Sequence, residues 1–190
     1  MRTFTLDTNC IIDVAEDRPA AVSVKRLLQA AQDGQADLAL VASSASERQE
    51  GGGFLKNFAV FEERRNALGF GGLPLLPSIG RYNVSFFGQG LFSSAEMTAR
   101  EHKIFITLFP TSPPVWKDYA AARGISWDDY DSRGYQKWRN RMLDSQAFWA
   151  HDYAQRDVFV TGDRNFLRLE GQEAFPRALI KEPVQAVALI

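Results

Sequence analysis

Phe4-Thr5-Leu6-Asp7-Thr8-Asn9 is the stretch on which the fold turns. Phe4 and Leu6 mark a short apolar strand that ends on a carboxylate and runs straight into a helix start. Val158-Phe159-Val160-Thr161-Gly162-Asp163 repeats the arrangement near the other end of the chain: apolar strand, small hydroxyl residue, carboxylate. Parallel α/β proteins place their chemistry at the carboxyl ends of strands, beside helix starts. Two strand ends that each deliver an Asp into one crevice would make a cation site.

Working outward, the pattern predicts a helix over Asn9–Glu16, a break at Arg18-Pro19, and a second helix with Val22, Leu27, Leu28 and Ala31 at helical spacing. Asp37–Val41 reads as a second parallel strand. Ser43 or Ser44 is placed to cap a helix running through Glu50. Gly51-Gly52-Gly53 breaks the chain before a helix over Phe54–Leu68. Later, a helix is expected over Asn140–Gln155, a strand over Val158–Thr161, a helix opening near Arg164 and a closing strand over Gln185–Ile190.

The order βα, βα, insertion, αβ, αβ favours a three-layer α/β/α sandwich around a central parallel sheet. The 190 residues suit one well-filled core. The reading is therefore a single domain whose core covers about 1–68 and 135–190. Residues 69–134 form an inserted, aromatic-rich subdomain of helices and loops. Their prolines and glycines signal turns, while Phe86, Phe87, Phe92, Phe105, Phe109, Trp116 and Trp127 signal packing.

A formal net charge of −1 argues against holding duplex DNA by bulk electrostatics. It is compatible with a nuclease whose acidic site subtracts charge that bound cations restore. One cysteine, Cys10, excludes an internal disulfide. No apolar run reaches the roughly 18–20 residues of a spanning helix. Asp7 and Asp13 interrupt any secretory-type start. A cytoplasmic protein with no membrane contact is the expectation.

Asp144 opens a segment in which Ala147, Ala150 and Ala154 give a face small enough to pack tightly on a sheet. That helix leads into the strand ending at Asp163, and Glu47 follows the second strand, so Asp7, Glu47, Asp144 and Asp163 can converge on one edge. Singly, Asp7 and Asp163 are equally competent helix caps, and Glu50 competes with Glu47.

These motifs resemble the PIN-domain nucleases, the family that includes the VapC-like toxins. Leu6-Asp7-Thr8-Asn9 with Ile11, Ile12 and Asp13 matches the opening motif, Asp144 the third acidic position, and Thr161-Gly162-Asp163 with Phe166 the closing motif. Glu47 matches the second acidic position by order and context. The resemblance spans roughly residues 3–50 and 140–168. Asn165 departs from it, standing where many members carry a further acid, and the middle segment is longer than in compact toxins.

The resemblance implies a metal-dependent endoribonuclease. Oxygen-only ligands select hard cations, hence Mg²⁺ or Mn²⁺. Asp7, Asp144 and Asp163 would hold metal, with Glu47 as ligand or as the group orienting the attacking water. Asn9, Thr161 and Asn165 would support them. Lys137, Arg139 and Arg141, with Tyr135 and Trp138, are candidates to engage the phosphates and stack a base of single-stranded RNA; a solvated amphipathic helix face is the plain alternative. The family further implies an antitoxin-like partner and a homodimer. A structure-selective DNA endonuclease shares the same carboxylates. A catalytically silent PIN-like module that binds RNA or protein is the rival from another class.

Overall fold

A computed structural model describes residues 1–46, 57–86, 88 and 90–190 of the chain. Five parallel strands form its central sheet: β1 (Arg2–Leu6), β2 (Ala36–Val41), β3 (Leu75–Leu76), β6 (Val158–Val160) and β7 (Ile180–Lys181), in spatial order β3-β2-β1-β6-β7. The strands are short apolar runs because both faces are covered, as a parallel sheet requires. Phe4, Leu6, Leu38, Leu40, Val158 and Val160 face one core cluster, together with α1 (Thr8–Ala15), α2 (Ala21–Gln32), α3 (Phe58–Ala67) and α7 (Pro183–Val187). Val41, Phe159 and Ile180 face the other, with α4 (Ala95–Leu108) and α6 (Arg133–Tyr153). Side chains that alternate along each strand thus separate two layers of helices.

The chain order matters for function. From β1 the sheet grows to one side through β2 and β3, and to the other through β6 and β7. The carboxyl ends of β1 and β6 therefore flank the point where strand order reverses, where open α/β sheets leave a crevice. Leu6 pairs with Val160 there, and the Asp7 N–H donates to the Val160 carbonyl at 3.0 Å.

Helix α6 is the longest element, 21 residues, or about 31 Å at 1.5 Å per residue. Ser132 caps it, accepting from the Tyr135 N–H at 3.1 Å. Its second half buries Ala147, Phe148 and Ala150 against the sheet. Its first half carries Tyr135 and Trp138 into a third cluster with Trp116 and Tyr119 of α5 (Trp116–Ala121). Between these lie β4 (Ser78–Ile79) and β5 (Gly90–Leu91), a parallel pair. A Cβ on Gly90 would lie 2.5 Å from the Gly80 Cα, so only glycine permits that approach.

Several sequence expectations change. Leu75–Leu76 is the edge strand beside β2, so residues 69–134 are not wholly an insertion: the core reaches beyond residue 68. Gln185–Ile190 is not a strand. Glu182-Pro183 starts α7 instead, with Pro183 at its first turn and the Gln185 side chain accepting from the Glu182 N–H at 3.0 Å; the closing strand is Ile180–Lys181. The long helix begins at Arg133, not Asn140, because Ser132 supplies its cap. Arg164–Leu169 is a 3₁₀ turn rather than an α-helix, and so is Ala42–Ser46. The rest of the helix expected through Glu50, and the start of the one expected from Phe54, lie outside the described residues.

Two buried polar groups tie this frame together. Glu101 on α4 is fully buried, held by the Arg81 guanidinium (Nε to Oε1 3.1 Å) and by Gln146 of α6 at 3.1 Å. Arg81→Ala would strand that carboxylate, and a loss of about 3–5 kcal/mol in urea unfolding is expected. On α6, His151 Nδ1 lies 2.9 Å from the Thr5 hydroxyl, and burial holds its pKa down to about 4, below the usual 6.5. The unfolded chain then takes up this proton first. Between pH 7 and pH 4 the stability difference between wild type and His151→Gln should move by up to about 3 kcal/mol in the variant's favour.

Candidate functional site

Asp7 ends β1 and caps α1, an extended residue whose Oδ1 accepts the Thr8 N–H at 2.8 Å. Its Oδ2 takes two more donors, the Thr161 hydroxyl at 2.7 Å and the Asn9 side-chain amide at 3.1 Å. Asp163 caps the 3₁₀ turn after β6, accepting from the Asn165 N–H at 2.8 Å and from its side-chain amide at 3.3 Å. Its own N–H donates to Thr161 Oγ1 at 3.0 Å. One hydroxyl therefore bridges the two strand ends, donating to one aspartate and accepting from the backbone of the other. Each carboxylate is the helix cap foreseen as the plain reading, and the two are also neighbours.

Asp144 reaches the same region from α6. Burial drives its carboxyl pKa well above the usual range, and the charges of Asp7 and Asp163 push it further, against the pull of Arg141. Asp7 is pushed up to about 6, chiefly by burial and partly by the Asp163 charge, although three donors oppose the shift. The sheet and α6 thus bring Asp7, Asp144 and Asp163 within electrostatic reach. Glu47, the fourth expected acid, lies outside the described residues.

Beside Asp163 opens a cleft of about 390 Å³ lined by Asn9, Asp13, Arg18 and Gly162. Asp13 belongs to the opening motif, whereas the sequence marks Arg18 only as part of a helix break. Asp13 is buried, with Arg18 3.7 Å away. The turn at Asp17, in the left-handed region (φ 49°), brings Arg18 back onto the Asp13 carbonyl, and only that five-residue return could have signalled the pairing. Ser44 was foreseen only as a cap. Its hydroxyl accepts from Thr8 Oγ1 at 2.6 Å and fixes the end of β2 beside the start of α1.

The basic residues divide. Lys137 is exposed. Arg141 is half-buried, bonded to the Ser112 hydroxyl, with its guanidinium 5.2 Å from the Phe109 ring centre. Arg139 is a correction: it is 8 % exposed, and it donates to the carbonyls of Asn83 (3.3 Å) and Val84 (3.2 Å) rather than facing a substrate phosphate. Tyr135 and Trp138 are likewise core residues, packed against Trp116, and offer no open face for a base.

Among the described residues, no group of three or more His, Cys, Asp or Glu side chains is arranged to hold a metal ion. The donor chemistry nonetheless suits a hard cation. The donors are all oxygens, and burial, with their like charges adding to it, lifts two of the pKa values. Magnesium needs no protein cage: it keeps several waters and binds through one or two carboxylates plus substrate phosphate. Comparison with protein families, curated proteins and solved structures returns no match, so the site stands on its own geometry.

The raised Asp7 pKa has a consequence for the metal-free protein. A carboxyl with a folded pKa near 6 and an ordinary value of 3.8 favours folding fully below pH 3.8, and that contribution is lost as pH rises through 6. Asp7→Asn should therefore be more stable than metal-free wild type at pH 7.5, by up to about 3 kcal/mol. The advantage should vanish by pH 4; thermal unfolding at the two pH values measures it.

Proposed function

We propose that this chain is a Mg²⁺- or Mn²⁺-dependent phosphodiester hydrolase acting on single-stranded RNA, with the PIN-like site its sequence resembles. The observation that carries the reading is the convergence of Asp7, Asp144 and Asp163 from β1, α6 and β6 at the point where strand order reverses. Three mutually destabilising acids at that place call for a counter-charge.

Asp7, Asp144 and Asp163 would hold the cation, which when bound supplies a more acidic water and stabilises charge developing on the phosphoryl oxygens. Thr161 keeps Asp7 and Asp163 in fixed relation. The Asn9 and Asn165 amides orient the same two carboxylates. Arg18, lining the cleft beside Asp163, is placed to meet the anionic backbone of a strand lying there. Glu47 is assigned to the site by sequence order alone. A net charge of −1 favours a single strand drawn to a local site over a duplex held by bulk charge. An antitoxin-like partner and a homodimer remain part of this proposal, resting on the resemblance alone.

One residue favours a second reading, a silent module: Asn165 stands where many members of the resembled family carry a further acid. Labelled single-stranded RNA, structured RNA and DNA, each incubated with Mn²⁺, Mg²⁺ or EDTA, separate the two. Metal-dependent cleavage of single-stranded RNA is expected, with Asp7→Asn and Asp144→Asn each slowing it at least about a hundredfold, on the scale of losing a principal electrostatic group. Cutting confined to DNA would transfer the site to the endonuclease alternative. An inert wild type that still binds RNA or protein would favour the silent module.

A further inference from the structure

A second cleft, of about 360 Å³, opens on the other side of the end of β2. Ala45 and Ser46 form one wall, directly after the Ser44 that is bonded to Thr8 beside Asp7. The cleft and the carboxylates therefore share one edge of the sheet. Tyr135, at its base, lies nine residues before Asp144 on α6, about 13 Å along the helix.

The opposite wall is the turn 81–85, and it is held unusually firmly. Arg81 is fixed by Glu101, the Val84 and Ser85 N–H groups return to the Arg81 carbonyl, and the Ser85 hydroxyl bonds the Ile79 carbonyl. From α6, Tyr135 Oη (3.1 Å) and Arg139 donate to the Asn83 carbonyl. Asn83 itself is left-handed (φ 58°), a strain that the surrounding bonds sustain. This rigid turn presents Tyr82 almost wholly to solvent, 89 % exposed, edge-on at 6.5 Å to Tyr130, which lines the cleft.

The charges decide what fits. Arg139 is turned onto backbone carbonyls, and Asp131 at the rim is a carboxylate, so the cleft is poorly suited to a phosphate. The Tyr130 ring with an amide and a carboxylate beside it suits a flat, neutral ring bearing a donor edge. We propose that the cleft between Tyr130 and Asn83 receives an unpaired nucleobase of the strand, stacked on Tyr130, while the carboxylate site takes a neighbouring phosphate. Asn83 and Asp131 favour bases with an exocyclic amino group, adenine or cytosine over uracil. This rests on the nuclease reading only for its substrate; the binding itself is independent of cleavage.

The test is fluorescence anisotropy in EDTA with labelled single-stranded hexaribonucleotides A6, C6 and U6, and with A6 carrying one abasic position moved along it. Wild type should bind A6 and C6 more tightly than U6. Tyr130→Ala should weaken A6 binding about tenfold, and Tyr130→Phe should restore it. One abasic position should weaken wild-type binding by a similar factor and leave the alanine variant unchanged. Equal binding by wild type and the alanine variant, a flat abasic scan, or no wild-type binding to any of the three would overturn the proposal. Tyrosine-dependent binding without cleavage in Mg²⁺ or Mn²⁺ would support the cleft and sink the nuclease reading. Cleavage with a flat abasic scan would do the reverse.

Discussion

The Thr161 hydroxyl has one proton to give, and it gives it to Asp7. Its oxygen then accepts the Asp163 N–H, so the polarity of the bridge is set. A valine there would remove a donor from a buried carboxylate and an acceptor from a strand end at once. A serine would keep both but lose the methyl that limits side-chain rotation. The two aspartates can stand close at the junction of β1 and β6 because this small group, with Asn9, Asn165 and the two helix-cap bonds, partly offsets the effects of burial and mutual charge.

That offset is incomplete: the Asp7 pKa stays raised to about 6, and that of Asp144 well above the ordinary range. Perturbed carboxyls gathered in a cleft are a common signature of function, although structural ion pairs also perturb pKa values. Here the ion-pair explanation is weak. The well-paired acids of the chain lie elsewhere: Glu101 with Arg81, and Asp152 held by Arg100 through bonds of 2.8 and 2.9 Å. Among the described residues, only the charge of Arg141 pulls the Asp144 pKa down. The stability that the site gives up is regained in the apolar layers on both faces of the sheet.

Sequence alone made the strands at β1, β2 and β6 legible, because a buried parallel strand is an apolar run with a polar stop, and it placed Asp7 and Asp163 because each stop is an aspartate at a helix start. The helix that carries Asp144 was legible from its small residues, of which Ala147 and Ala150 pack on the sheet while Ala154 lies past the helix end, exposed. The edge strand at Leu75–Leu76 was not, since two residues carry no period, and its apolar pair reads as part of a proline-rich loop. The closing strand was misplaced because Val184, Ala186 and Val187 are as apolar as a strand, while the deciding signal was the Glu182-Pro183 start of a helix. Arg139 misled for another reason. A charged residue on an amphipathic helix is ordinarily solvated, and only the fold shows that it turns inward onto two carbonyls of the turn 81–85. Asp13 and Arg18 depend on a left-handed residue between them, which no periodicity reveals.

Helix α6 links the cleft at the turn 81–85 to Asp144 and the sheet on one unbroken rod. Tyr135 and Arg139 brace the turn 81–85 from its first half, Asp144 stands at its middle, and Phe148 and His151 pack on the sheet from its second half. A helix transmits length and rotation without slack: one added residue turns everything beyond it by about 100° and shifts it by about 1.5 Å. Between Tyr135 and Phe148 the chain therefore has no freedom to vary in length, and α5, packed on its first half through Trp116 and Tyr119, is bound to it almost as closely. In relatives of this protein, insertions and deletions should be absent from both helices and confined to the connections on either side of α5.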